Sequence, residues 1–297
     1  MTHITEHKRI HLIGIGGCSM SGLASILKNR GYYVQGSDRA ESPFTERLKE
    51  LGVPVFIGHD AKNIGDCDLI IFSAAIKSDN VERAEAKRRG IPELERSEAL
   101  GQLTEGYESV VGIAGCHGKT TITSMLALIC EQGGPDATVH IGGFVDFLNG
   151  GVRLGAHDMF ITEACEYVES FLTLRPTIAL INNIDNDHLD YYGDMEHIVA
   201  AFKKFAALLP ENGLLIGNTD DFRVRALMAE HTGRKLSYGM KDADYTPANT
   251  TYDDNGCPGF DIMFRGEKLM HIQLRIPGEH SVMNAIAAAA VAREIGA

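Results

Sequence analysis

The chain is short of positive charge: 28 lysines and arginines face 40 aspartates and glutamates, for a formal net charge of -12. That balance argues against a general nucleic-acid binder, which presents a basic surface to the phosphates. It leaves nucleotides open, because a loop and a metal ion bind phosphate locally. No long apolar run occurs either. The longest stretch of small apolar residues, Ala285 to Ala292, falls far below the roughly 20 residues that span a bilayer, so no membrane association is expected. Met1 to Arg9 is polar and lacks the apolar core of a secretory signal. The six cysteines (Cys18, Cys67, Cys116, Cys130, Cys165, Cys257) form no C-x-x-C pair and no metal-like spacing. That fits reduced thiols and a cytoplasmic location. There is no sequence repeat and no low-complexity tract.

What is present is alternation. Ile10 to Ile15, Tyr33 to Gly36 and Asp68 to Phe72 read as buried strands, and Met20 to Asn29, Phe44 to Leu51 and Val81 to Arg89 as helices. Each helix stops at a glycine followed by an apolar residue (Gly31-Tyr32, Gly52-Val53, Gly90-Ile91), where glycine adopts the left-handed conformation cheaply. Strands alternating with helices predict a parallel sheet covered on its faces. Glu93 to Ser109 is polar and charged, with one weak helix, and reads as the join between domains. With 297 residues, two domains are expected. The second starts at Val110, with strands over Val110–Ala114, Met159–Thr162 and Thr177–Asn182. Its helices are expected over Thr120–Glu131, Met195–Leu209 and His280–Ile295. Between Ala243 and Ile276, alternating runs about Asn255-Gly256 predict an antiparallel hairpin region.

Two turns carry phosphate chemistry. The first is Gly112 to Thr121, G-I-A-G-C-H-G-K-T-T, which leads from an apolar strand into a helix. Backbone N–H groups and a helix N-terminus favour phosphate there, Lys119 reaches the β- and γ-phosphates, and Thr120 holds Mg²⁺. The usual G-x-x-x-x-G-K-[ST] pattern needs glycine where Ile113 stands. The second is Gly14-x-Gly16-x-x-Ser19 with Gly17 between, followed by Asp38. It supports pyrophosphate binding far better than it supports a nicotinamide dinucleotide in particular. Beyond the phosphate loop, Thr162-Glu163-Ala164-Cys165-Glu166 and Asn182 to Asp190 both follow apolar strands. Both therefore emerge at the carboxyl edge, where ligands bind. On residues alone, Glu163 is equally a magnesium ligand or a solvated acid. His188 reads as a hydrogen-bonded strand-end histidine, since magnesium prefers oxygen.

Four separated motifs resemble the Mur ligases of bacterial cell-wall synthesis. They are Gly14 to Ala24, Gly115 to Thr121, Asn183 to Asp190 and Pro277 to Ala285, in the family's order along almost the whole chain. The resemblance implies an α/β fold. A Rossmann-like UDP-sugar-binding domain would cover 1–105 and a P-loop ATPase-type central ATP-binding domain 106–297. The family's C-terminal amino-acid-binding domain is expected to be absent. The implied reaction is ATP-dependent amide formation in peptidoglycan synthesis, with UDP-N-acetylmuramate, ATP and L-alanine as substrates and ATP and Mg²⁺ as cofactors. Gly14, Gly16, Gly17 and Ser19 would bind the diphosphate of the UDP-sugar, with Asp38 near the uridine. Gly115, Cys116, His117, Gly118, Lys119, Thr120 and Thr121 would hold ATP, with Asn284 reading adenine and His280 nearby. Thr120, Glu163 and His188 would bind metal, and Lys119 and His188 would act in catalysis. Glu166 falls in the same loop as a further, lesser candidate. Cys116, Cys165 and Ser281 depart from the family's usual Thr, Asp and Asn, and a small filler is expected at Cys116. Competing readings are a nicotinamide-dependent dehydrogenase, a nucleotide-sensing module and the related ligase that recycles tripeptides.

Overall fold

The computed structural model describes residues 2–297. Tertiary contacts divide the chain into two compact units. One comprises the residues up to Tyr107 together with Thr138–His157, the other Glu108–Ala137 together with Asp158–Ala297.

The first unit opens with β1 (Arg9–Ile13), α1 (Cys18–Asn29), β2 (Tyr33–Asp38), α2 (Pro43–Glu50) and β3 (Val55–Ile57). It continues with β4 (Leu69–Phe72), α3 (Val81–Arg89), β5 (Glu93–Glu95) and α4 (Arg96–Thr104). The strands form one parallel sheet in the order β3-β2-β1-β4-β5. The order reverses between β1 and β4, and the carboxyl ends of strands at such a reversal open a crevice. The glycine turn sits there. Local chemistry sets the helix ends: Ser42 caps α2 ahead of Pro43, Asn80 caps α3, and Gly90 ends α3 at φ 70°.

Past Tyr107 the chain forms β6 (Ser109–Ala114) and α5 (Lys119–Glu131) in the second unit. It then contributes the hairpin β7 (Ala137–Val145) and β8 (Gly150–Arg153) to the first. The hairpin lies against α1. His140 Nε2 donates to the Ser19 carbonyl at 3.1 Å, and Phe44 meets Phe144 edge to face at 5.6 Å. A Cβ on Gly22 would come within 2.8 Å of the His140 ring, so α1 needs glycine at that approach. Burial pushes the His140 imidazole down to about 4, which keeps it neutral. Residues 138–157 thus cluster with the first unit, although they lie within the range expected for the second domain, 106–297. Within the expected join, the expected helix is α4, and the unexpected edge strand β5 belongs with it to the first unit.

The second unit continues with β9 (Ala156–Ala164), β10 (Ile178–Ile181), α6 (Leu189–Tyr192), α7 (Met195–Ala206), β11 (Leu214–Asn218), α8 (Phe222–Glu230) and β12 (Arg234–Tyr238). β13 (Tyr245–Tyr252), β14 (Pro258–Phe264), β15 (Glu267–Gln273) and α9 (Glu279–Glu294) complete it. Its strands run β9-β6-β10-β11-β12-β13-β14-β15, parallel through β13 and antiparallel beyond. The expected hairpin region is β13–β15. Core packing is aromatic under α7, where Phe171 stacks on Phe205 at 4.8 Å and meets Phe202 edge to face. On α9, Ala285, Ile286, Ala287 and Val291 are buried, and α9 packs against α5.

Candidate functional site

Register puts three strand ends level. Ala114 of β6 pairs with Ala164 of β9 and with Ile181 of β10. The loops that follow therefore share one carboxyl edge of the sheet, and they carry the phosphate-loop, acidic and Asn-Asp-His motifs.

The phosphate loop is shaped by its neighbours. Gly115 and Gly118 sit at φ 142° and 87°. A Cβ at Gly118 would fall 2.5 Å from Asn182 Nδ2 and 2.7 Å from Asn284 Oδ1. Asn182 Nδ2 and Asn183 Nδ2 both donate to the His117 carbonyl at 2.9 Å, and His117 N donates to Asn183 Oδ1 at 2.8 Å. The buried Tyr238 hydroxyl donates to Asn182 Oδ1 at 2.7 Å. No side chain caps α5, whose first turn begins at Lys119. Its leading N–H groups, with the positive end of the helix dipole, suit an anion.

Lys119 lies within this loop. Its Nζ donates to the Gly115 carbonyl, to the Cys116 carbonyl at 3.3 Å and to both carboxylate oxygens of Glu166 at 3.0 and 2.8 Å. Glu166 is 1% exposed, and the Tyr192 hydroxyl donates to its carbonyl. His188 Nε2 is 3.7 Å from Glu166 Oε1, and its Nδ1 is 3.7 Å from Asp187 Oδ1. His188 is held at φ 56° as the residue preceding α6, with its ring 4.7 Å from that of Tyr167.

Two donor sets fit a hard divalent cation. Thr120 Oγ1 donates to Glu163 Oε2 at 3.2 Å, which places a hydroxyl and a carboxylate together at the start of α5. Glu166, Asp187 and His188 each offer a ligand atom, all within 4.8 Å of one another. Both sets are oxygen-rich, as magnesium prefers, and the His188 imidazole is the one nitrogen donor among them. Glu163 thus stands with Thr120, and His188 with Glu166 and Asp187. Asp187 was not singled out from the sequence, and Glu166 only as a lesser candidate in the loop of Glu163. Their one signal was proximity, Glu166 three residues past Glu163 and Asp187 beside His188.

The other expected residues are placed as follows. Asn284 is buried against the loop, its Oδ1 accepting from Asn182 at 3.4 Å, while His280 is exposed on the first turn of α9. His117 is exposed, and its backbone rather than its ring shapes the loop. Cys116 is buried, and its Sγ accepts from Asp185 N at 3.1 Å. Burial pushes its thiol up to about 11, which suits a filler and not a nucleophile.

In the first unit, Gly14, Gly16, Gly17 and Asp38 line an open cleft of about 740 Å³, together with His59 and Lys77. Asp38 Oδ2 accepts from Gly16 N at 2.8 Å, so the acid also holds the turn in shape. Ser19 stands apart from that lining. Its hydroxyl lies 3.3 Å from His140 Nε2 and accepts from Arg96 at 3.2 Å. Among the described residues no cysteine is joined in a disulfide, and no helix is long and apolar enough to cross a membrane.

The Mur ligase middle domain matches residues 113–292, and the catalytic domain of the Mur ligase family matches residues 9–108. The chain belongs to the Mur ligase family. It is similar to the UDP-N-acetylmuramate–L-alanine ligase of Alkaliphilus metalliredigens, with 45% identity over 99% of this chain and 65% of the relative. The Mur ligase chain thus spans a little under two thirds of that relative's length. Among solved structures, it resembles the UDP-N-acetylmuramate-alanine ligase of Thermotoga maritima at 29% identity and a TM-score of 0.86, covering 98% of this chain and 66% of that one. It also resembles the UDP-N-acetylmuramate:L-alanyl-gamma-D-glutamyl-meso-diaminopimelate ligase of Neisseria meningitides, at 28% identity and a TM-score of 0.85, covering 98% of this chain and 94% of that one. The expected fold, an N-terminal parallel-sheet domain followed by a P-loop-type α/β domain, is the fold observed.

Proposed function

We propose that this chain supplies the UDP-sugar-binding and ATP-binding parts of a ligase that joins UDP-N-acetylmuramate to L-alanine. The observation that carries the reading is the level edge of β6, β9 and β10. It gathers a phosphate loop, its lysine, and two oxygen-rich cation-binding groups at one place. The 45% identity to an alanine ligase favours L-alanine as acceptor over the tripeptide. The two structural relatives, at 29% and 28%, do not separate them.

The proposed reaction passes through an acyl phosphate. A free carboxylate is a poor electrophile, so the lactyl carboxylate first takes the γ-phosphoryl group of ATP and ADP leaves. The amine of alanine then displaces phosphate and the amide forms. The protein's part is alignment and charge neutralisation. The α5 N-terminus and Lys119 hold the β- and γ-phosphates. Gly118 lets the backbone approach them, and Asn182 and Asn183 fix the loop from beneath. Asn284, buried beside Gly118, would read the base of the nucleotide. Thr120 and Glu163 would hold one magnesium ion, and His188, Asp187 and Glu166 another. When bound, magnesium neutralises the charge that develops on the transferring phosphoryl group. In the first unit, the glycine turn after β1 would take the diphosphate of the UDP-sugar, with Asp38 toward its uridine.

Calorimetry tests this reading. The chain is expected to bind a non-hydrolysable ATP analogue with Mg²⁺ and, separately, UDP-N-acetylmuramate. Lys119→Ala should weaken the ATP analogue by about 10- to 100-fold, the loss of a charged hydrogen-bond donor, and leave UDP-sugar binding unchanged. Equal loss of both ligands would contradict the assignment of two sites.

A further inference from the structure

Lys119 and Glu166 hold each other in a way that the proposed chemistry cannot use unchanged. An ammonium group has three donors. Here they go to two loop carbonyls and to both oxygens of Glu166. None is left for a phosphate. The pair is also enclosed, with side-chain exposures of 14% for Lys119 and 2% for Glu166. Pulling the lysine away would strand a buried carboxylate, which is strongly unfavourable unless another cation replaces it. The replacement has a place to bind. Glu166 is also a corner of the group with Asp187 and His188. The same carboxylate therefore faces an ammonium on one side and a cation-binding position on the other.

The geometry points to Glu166 as a positioning residue that changes partners. It clamps Lys119, and it transfers to a divalent cation when one binds beside Asp187 and His188. The lysine is then released toward the terminal phosphates. Cation binding and lysine availability are thereby coupled through one side chain. The inference rests on the nucleotide-site reading above, but its first test needs no nucleotide.

Lys119 exposure is measured as its rate of acylation by a small amine-reactive reagent, read by mass spectrometry, with and without Mn²⁺ alone. In the unmodified chain, Mn²⁺ should raise the rate. In Glu166→Gln the rate should already be high, and Mn²⁺ should add nothing. The second readout is affinity for a non-hydrolysable ATP analogue. The ratio of affinities with and without Mn²⁺ should shrink about tenfold in Glu166→Gln, the difference between a charged and a neutral partner. A merely structural glutamate would lower thermal stability and leave that ratio alone. The proposal is overturned if Mn²⁺ does not change Lys119 acylation in the unmodified chain, which requires no variant to fold, or if the variant keeps the full ratio. Should the unmodified chain bind no ATP analogue under any condition, the functional reading fails, while the acylation result still decides the exchange.

Discussion

Gly118→Ala should damage the second unit well beyond what its small change in volume suggests. The residue sits at φ 87°, where an L side chain costs about 1–2 kcal/mol. The new methyl would also lie 2.5 Å from Asn182 Nδ2 and 2.7 Å from Asn284 Oδ1, so Asn182 must move. Asn182 accepts the hydroxyl of Tyr238, which is 0% exposed. Displacing it leaves a buried hydroxyl without its partner, about 1–3 kcal/mol more. The expected loss is therefore about 2–5 kcal/mol by urea denaturation, read as a lower midpoint at constant slope. The right comparison is Gly133→Ala, just past α5. Gly133 has φ 106° but no atom within 4 Å of its would-be Cβ, so it incurs the backbone strain alone. If Gly118→Ala costs no more than Gly133→Ala, the linked Asn182, Asn284 and Tyr238 side chains do not support the loop as described.

Two further outcomes are expected. Glu82 is 0% exposed, and although burial alone would raise its pKa, hydrogen bonds from His11, Ser37 and Asn63 outweigh that and hold it at about 2. A depressed folded-state value stabilises above the unfolded value near 4.5 and is lost as the pH falls toward 2. The first unit should therefore lose about 3 kcal/mol across that window, and Glu82→Gln should flatten the pH dependence in denaturation experiments. Cys116 should resist alkylation in the native chain at pH 8. Its thiol, raised from 9 to about 11, carries about a hundredfold less thiolate than an ordinary cysteine; reaction at the rate of an exposed thiol would contradict its burial.

The motif-bearing elements were legible because strand, glycine turn and helix agree locally. β1 with α1, β6 with α5, and α9 each lie within a few residues of expectation. What escaped was decided at a distance. β5 is Glu-Leu-Glu, with Leu94 alone buried, so a three-residue edge strand looks like linker. β3 is another such edge, with Phe56 and Ile57 exposed. β11 is a short apolar run, which periodicity alone does not separate from a helix end. The hairpin β7–β8 belongs with the first unit because His140 and Phe144 meet α1 and Phe44, partners more than 90 residues away that no local pattern reveals. At the site, residue types and spacing pointed to Lys119 and Thr120, and the family resemblance to Glu163 and His188. The pairing of Lys119 with Glu166 depends on the register of β6 against β9, which appears only in the folded chain.

The most direct test is a crystal structure of the chain with Mg²⁺ and a non-hydrolysable ATP analogue. The terminal phosphate is expected within about 3 Å of Lys119 Nζ, with the ions on the Thr120–Glu163 and His188–Asp187–Glu166 groups. A nucleotide bound with its phosphates away from the α5 N-terminus, and Lys119 still closed on Glu166, would contradict it.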